Sequence, residues 1–202
     1  VTLNPWGDRR RRRIGLLGGS FNPAHAGHLH VAQAVLRALR LDEVWLMVSP
    51  GNPLKPARGM AGFAARLASA RAIADGQRIR ATGIEAAMGT RYSIDTLRAL
   101  RRRFPRARFV FVIGADNLWQ LPRWQGWRWI VAKTPVAVLP RPGWTRKALA
   151  GQAAHALARH RRRPGALLAE GPRDVAHAPW CFVATTEHAA SATAIRAASG
   201  AA

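Results

Sequence analysis

Short, continuously apolar runs alternate with amphipathic stretches along nearly the whole chain, and that alternation admits few architectures. Strands are expected over 14–17, 44–48, 108–113 and 135–139, which after Arg108 are apolar on successive positions, as strands buried on both faces are. Between them lie stretches with helical spacing. Helices are expected over 26–40, 63–74 and 93–104, a partly helical stretch interrupted at Pro122 over 118–131, and a helix over 147–159. A short strand over 79–83, late strands over 166–169 and 181–184, and a terminal helix over 192–198 complete the reading. Strands alternating with helices imply βαβ units and a mostly parallel sheet covered on both faces. Sheets of this kind take ligands beyond the carboxyl ends of their strands. Chemistry is therefore expected in the loops 18–28, 49–55, 114–116 and 140–141.

Composition sets the outer limits. With 202 residues, 49% of them hydrophobic, the chain can bury one sizeable core, which excludes disorder as its main state. A single domain is expected over 14–202, preceded by a basic arm over 1–13 in which Arg9 to Arg13 would repel one another inside a packed element. No apolar run is long enough for a membrane helix, and 14–17 is too short for the core of a signal peptide. One cysteine, Cys181, excludes an internal disulfide and a cysteine-based zinc site. A soluble cytoplasmic protein without a membrane partner is expected. The net charge of +22 attracts polyanions. Most of it is arginine in an alanine-rich chain, the bias that a GC-rich genome produces without functional demand. The clusters Arg9–Arg13 and Arg159–Arg163 keep a nucleic-acid-binding protein as a rival reading, with steep salt dependence as its mark.

The loop after the first strand reads Gly18-Gly19-Ser20-Phe21-Asn22-Pro23-Ala24-His25-Ala26-Gly27-His28. Paired glycines let the backbone approach a ligand closely. The helix start that follows offers unpaired N–H groups and a positive dipole end, which suit phosphate. His25 and His28 share one side of a first helical turn, with Gly27 between them leaving room for a phosphoryl group. An ordinary imidazole pKa of about 6.5 would let them donate to phosphate, more strongly when protonated.

These residues resemble the signature of the HxGH nucleotidyltransferase superfamily, with Ser20 where Thr is usual and Asn22 where Asp is frequent. The resemblance implies a Rossmann-like, doubly wound α/β fold and transfer of a nucleotidyl group from a nucleoside triphosphate to a phosphate. Ser191-Ala192-Thr193-Ala194-Ile195-Arg196 is similar to the superfamily's second motif, with Ala192 departing from it. Its hydroxyls and N–H groups would cradle the distal phosphates and Arg196 would clamp them. Pro50 to Lys55, Tyr92-Ser93-Ile94-Asp95-Thr96-Leu97, Gly114-Ala115-Asp116-Asn117 and Leu121 to Trp127 resemble, in this order, bacterial nicotinate-nucleotide adenylyltransferases.

That family resemblance implies adenylyl transfer from ATP to nicotinate mononucleotide. The implied catalytic set is His25, His28, Lys55 and Arg196. ATP would be held by Gly18, Gly19, Ser20, Phe21, Gly27, Gly114, Asp116, Ser191, Thr193 and Ile195. The nicotinate nucleotide would be held by Asn22, Tyr92, Ser93, Thr96, Trp124 and Trp127. The physical reading agrees: a helix start at Ser93, the expected N-cap, suits a carboxylate, and Trp124 or Trp127 can stack on an aromatic ring. For Trp127, core packing is an equal alternative. Magnesium is expected to arrive on ATP through mostly water ligands, with no protein metal site. Nicotinamide mononucleotide, pantetheine phosphate and a small alcohol phosphate taking a cytidylyl group remain alternative acceptors. Oligomeric state and closure of the loop over 51–62 are not legible.

Overall fold

The computed structural model describes residues 4, 6–51, 59–169 and 178–186. Six strands form one sheet: β1 (Arg13–Gly19), β2 (Glu43–Val48), β3 (Ile79–Thr82), β4 (Arg108–Gly114), β5 (Val136–Leu139) and β6 (Trp180–Phe182). Their order is β3-β2-β1-β4-β5-β6 and every pairing is parallel. The chain winds outward from β1 to one edge, returns to β4 and winds to the other. This is the expected doubly wound α/β sheet, and it leaves a crevice where β1 and β4 lie side by side.

Alternate residues of each strand feed two cores, because successive side chains point to opposite faces. Ile14, Leu16, Trp45, Met47, Phe109, Phe111, Ile113, Val136 and Val138 face one helical layer. Leu17, Val44, Leu46, Val48, Val110, Val112, Ala137, Leu139 and Cys181 face the other. On the first face lie α4 (Ser93–Arg103), α5 (Ala115–Gln120), α6 (Trp127–Lys133) and α8 (Gln152–Ala156). On the second lie α1 (Ala26–Ala38) and α2 (Phe63–Ile73). Cys181 is fully buried, and desolvation pushes its thiol up to about 12. Among the described residues no helix is long and apolar enough to cross a membrane.

Several expectations are corrected. β1 begins at Arg13, one residue inside the expected basic arm. The Arg13 N–H and guanidinium both donate to Asp42, at 2.7 and 3.1 Å, which ties that residue into the sheet. β1 also runs on through Gly18 and Gly19, paired with Met47 and Val48, rather than stopping at Leu17. A short α3 (Ile84–Met88) follows β3 where no element was expected. The stretch over 118–131 splits into α5, a 3-10 turn carrying Pro122, and α6. The helix over 147–159 splits into α7 (Thr145–Leu149) and α8, separated by Gly151. Residues 166–169 form no strand. Pro164 and Gly165 start a 3-10 turn there, and Leu167 is buried as a plug against the α1 side of the sheet. The strand over 181–184 is shifted to Trp180–Phe182. The terminal helix over 192–198 falls outside the described residues.

Candidate active site

At the carboxyl end of β1 the open position is Gly18, where even an added Cβ would meet nothing within 4 Å. Phe21 then reverses the chain with φ +48, a conformation an aromatic residue adopts only under restraint. The restraint is visible. Phe21 is 1% exposed and its ring lies 4.7 Å from that of His28. The turn delivers His25 to the N-cap position of α1, in extended backbone.

The two imidazoles cap the helix and each other. His25 Nδ1 accepts from the Gly27 N–H, and His28 Nδ1 accepts from the His25 N–H, both at 3.2 Å. This is a capping box in which histidines replace the usual hydroxyl and carboxylate. With Nδ1 accepting on both rings, the neutral tautomer carries its proton on Nε2. The rings sit 3.9 Å apart, centroid to centroid, and are tilted by 43°. Burial, the neighbouring His25 and then Arg141 push His28 down to about 3. The expectation of a ring that protonates near neutral pH is therefore corrected. At neutral pH His28 is an uncharged ring with its proton on Nε2.

Arg141 follows β5 and was not singled out from sequence, although its loop was. It reaches Asp116, at the start of α5, with 4.0 Å between Nε and Oδ1. Both residues stand beyond adjacent strands, next to Gly114 at the end of β4. A cation that influences His28 from beyond β5, together with the capped imidazoles beyond β1, makes this end of the sheet receptive to polyanions. The signal available in the sequence was its place directly after a strand's carboxyl end.

The second group of expected residues gathers around the start of α4. Tyr92, 41% exposed, is the N-cap of α4, so Ser93 is the first helical residue and not the cap expected. Among the described residues no side chain caps this helix start. Trp124 and Trp127 flank Gly126, which adopts φ +63 with the Ile94 side chain filling the place of a Cβ. The Trp loop is thereby seated on the first turn of α4. Trp124 stands edge-on to Phe111, with centroids 6.2 Å apart, and its buried Nε1–H has no hydrogen-bond partner among the described residues. Trp127 is half-buried on the same core, and Arg128 lies 5.1 Å from its ring centroid.

Two expected ligand residues are turned to internal use. Thr96 is 1% exposed, and its hydroxyl lies 3.1 Å from Glu85 Oε1, 2.9 Å from Thr90 Oγ1 and 3.3 Å from the Tyr92 carbonyl. Glu85 is a half-buried carboxyl whose pKa is raised by desolvation, an effect the Thr96 hydroxyl partly offsets. Asn22 donates to the Gly59 carbonyl at 3.0 Å and accepts from the Ala61 N–H at 3.1 Å.

Lys55, Ser191, Thr193, Ile195 and Arg196 lie outside the described residues. The chain that leads to the last four is anchored nearby. Thr185 Oγ1 lies 2.9 Å from His30 Nε2, joining the segment after β6 to α1 only two residues beyond His28. Among the described residues no three His, Cys, Asp or Glu side chains converge to hold a metal ion.

Known proteins match most of the chain. The family model for cytidylyltransferase-like proteins matches residues 16–198. A probable nicotinate-nucleotide adenylyltransferase of Gluconacetobacter diazotrophicus is 56% identical over 198 residues, covering 97% of this chain and 90% of that protein. One from Cereibacter sphaeroides is 48% identical over 184 residues, covering 91% and 96%. Among solved structures, a Plasmodium falciparum nicotinic acid mononucleotide adenylyltransferase complexed with NaAD aligns with a TM-score of 0.68. It covers 92% of this chain and 83% of its own at 15% identity, a likeness of fold.

Proposed function

Because the chain belongs to the cytidylyltransferase-like family and, within it, to the nicotinate-nucleotide adenylyltransferases, we propose the following chemistry for its site. The protein transfers AMP from ATP to nicotinate mononucleotide, releasing pyrophosphate and nicotinate adenine dinucleotide in NAD biosynthesis. The observation that carries the mechanism is the reciprocal capping of His25 and His28 at the tip of α1, beyond an open glycine at the end of β1.

The phosphate of nicotinate mononucleotide attacks the α-phosphorus in line, so no protein nucleophile is required. Catalysis is positioning plus stabilisation of spreading negative charge. His25 and His28 donate from Nε2 to the α- and β-phosphates. Gly18, Gly19, Ser20, Phe21 and Gly27 shape the bed for the triphosphate, and Gly114 and Asp116 border the ribose. Lys55 supplies a point charge to the phosphates. Ser191, Thr193, Ile195 and Arg196 hold the leaving pyrophosphate. Support for that convergence is the bond between His30 and Thr185, six residues ahead of Ser191. Magnesium would come with ATP and would neutralise phosphate charge; with Asp116 facing Arg141 and no cluster of His, Cys, Asp or Glu among the described residues, nucleotide oxygens and water would hold the ion.

The acceptor's carboxylate fits the uncapped N–H groups at Tyr92 and Ser93, and its ring fits the face of Trp124 or Trp127. Asn22 and Thr96 act one step back, holding the loops that touch the nucleotide. The reaction calls for no nucleic-acid or membrane partner, and we place it in the cytoplasm, where ATP is made available.

Pyrophosphate release tests the reading. ATP with nicotinate mononucleotide is expected to turn over, and nicotinamide mononucleotide to turn over more slowly. Equal rates with the two acceptors would overturn the carboxylate assignment. No release with either, in protein that binds ATP, would overturn the acceptor class.

A further inference from the structure

Arg66 in α2 is 2% exposed, yet it carries a guanidinium. Its Nε donates to the Ala61 carbonyl at 2.9 Å. Nη1 donates to the carbonyls of Ser20, at 2.7 Å, and Ser49, at 2.8 Å, and Nη2 to that of Pro50 at 3.2 Å. The Phe63 ring lies 5.7 Å from its central carbon. No carboxylate pairs with it among the described residues. Burial lowers its pKa, but from an ordinary value so high that the group stays charged.

The carbonyls it engages have a common origin. Ser20 is the first residue beyond β1, and Ser49 and Pro50 are the first two beyond β2. Parallel strands present carbonyl oxygens at their carboxyl ends, and those past the last ladder bond aim partial negative charge at whatever binds there. A triphosphate would be repelled by them. Arg66 takes up these oxygens from beneath and leaves a net positive charge in their place. Its neighbours fasten the same loop: Ser69 Oγ accepts from the Ala24 N–H at 2.9 Å, and Asn22 grips Gly59 and Ala61.

We propose that Arg66 is a positioning residue for phosphate binding, its charge converting the carbonyl-lined ends of β1 and β2 into an anion-accepting floor beneath the loop from Ser20 to His28. The proposal rests on the reading of that loop as the triphosphate site. A planar fork with five donors can serve four carbonyls arranged around it, which an ammonium with three donors cannot. The charge, however, is retained by lysine, so the electrostatic and the purely architectural roles separate.

Calorimetric titration with inorganic triphosphate, alongside steady-state kinetics and thermal unfolding, compares wild type, Arg66→Lys and Arg66→Met. Expected is a loss of triphosphate affinity of about tenfold or more in Arg66→Met, with a matching rise in KM for ATP and little change in KM for nicotinate mononucleotide. Arg66→Lys is expected to unfold at a lower temperature but to bind triphosphate within about threefold of wild type. If Arg66→Met binds triphosphate as tightly as wild type, or if folded Arg66→Lys binds no better than Arg66→Met, the proposal is overturned. Should Arg66→Met fail to fold, Arg66→Lys decides alone: near-wild-type affinity supports the proposal and a loss of about tenfold overturns it. Wild-type protein that binds triphosphate without adenylyl transfer would overturn the reaction assigned above and leave this proposal standing.

Discussion

His28 does two jobs with one ring. Its Nδ1 closes the helix cap, and its Nε2–H is kept for the ligand. Replacing it by Ala removes a donor aimed at developing charge, so turnover should fall by roughly 10²–10³, while loss of the cap costs only about 1 kcal/mol of stability. Steady-state kinetics beside thermal unfolding check both. The depressed His28 pKa also ties folding to pH. Between about 3 and 6.5 the unfolded chain binds a proton at this position that the folded chain does not. Stability from this group is thus fully present above pH 6.5 and is lost as pH falls toward 3. In His28→Asn the decline of the unfolding free energy between pH 6 and 4 should be shallower, by up to about 1.4 kcal/mol per pH unit. An identical decline in denaturant titrations would contradict the assignment. The histidine pair was readable from its spacing; the neutral state of the ring was not, because it follows from burial and from neighbours distant in sequence.

Elements built from long apolar periods were legible, and those decided by a single turn were not. The strands β1, β2, β4 and β5 and the helices α1 and α4 follow from hydrophobic period alone. α3 has five residues, too few to show a period. Residues 166–169 carry a strand-like pattern that Pro164 and Gly165 override. Arg66 escaped notice because a lone arginine in an arginine-rich chain gives no signal; its importance lies in carbonyls that tertiary structure brings to it. Two glycines show how context sets the cost of a turn. Gly89, at φ +66, has open space around it, and Gly89→Ala should destabilise by about 1 kcal/mol. Gly126, at φ +63, has Ile94 where a methyl group would go, so Gly126→Ala should cost more, about 2–4 kcal/mol. It should also raise KM for nicotinate mononucleotide by displacing the Trp loop. Comparable losses from the two substitutions in urea unfolding would show that Ile94 yields easily.

Across the molecule, the winding order collects loops from β1, β2, β4 and β5 at one end of the sheet, while the last strand lies at the far edge. The segment following β6 has to return toward α1, and the hydrogen bond between Thr185 and His30 records that return across 155 positions of sequence. Thr185→Val should therefore raise KM for ATP several-fold, with KM for nicotinate mononucleotide nearly unchanged. Equal KM values for ATP would show that the tie does not help bring Ser191 and Arg196 to the phosphates. The sequence placed the two motifs at opposite termini; their approach depends on a contact that no local pattern announces. Cys181, sealed in β6 and held in its protonated form, has a practical corollary: a thiol-reactive dye should modify this chain only when that edge strand lifts from β5, so labelling speed becomes a clock for the release of β6.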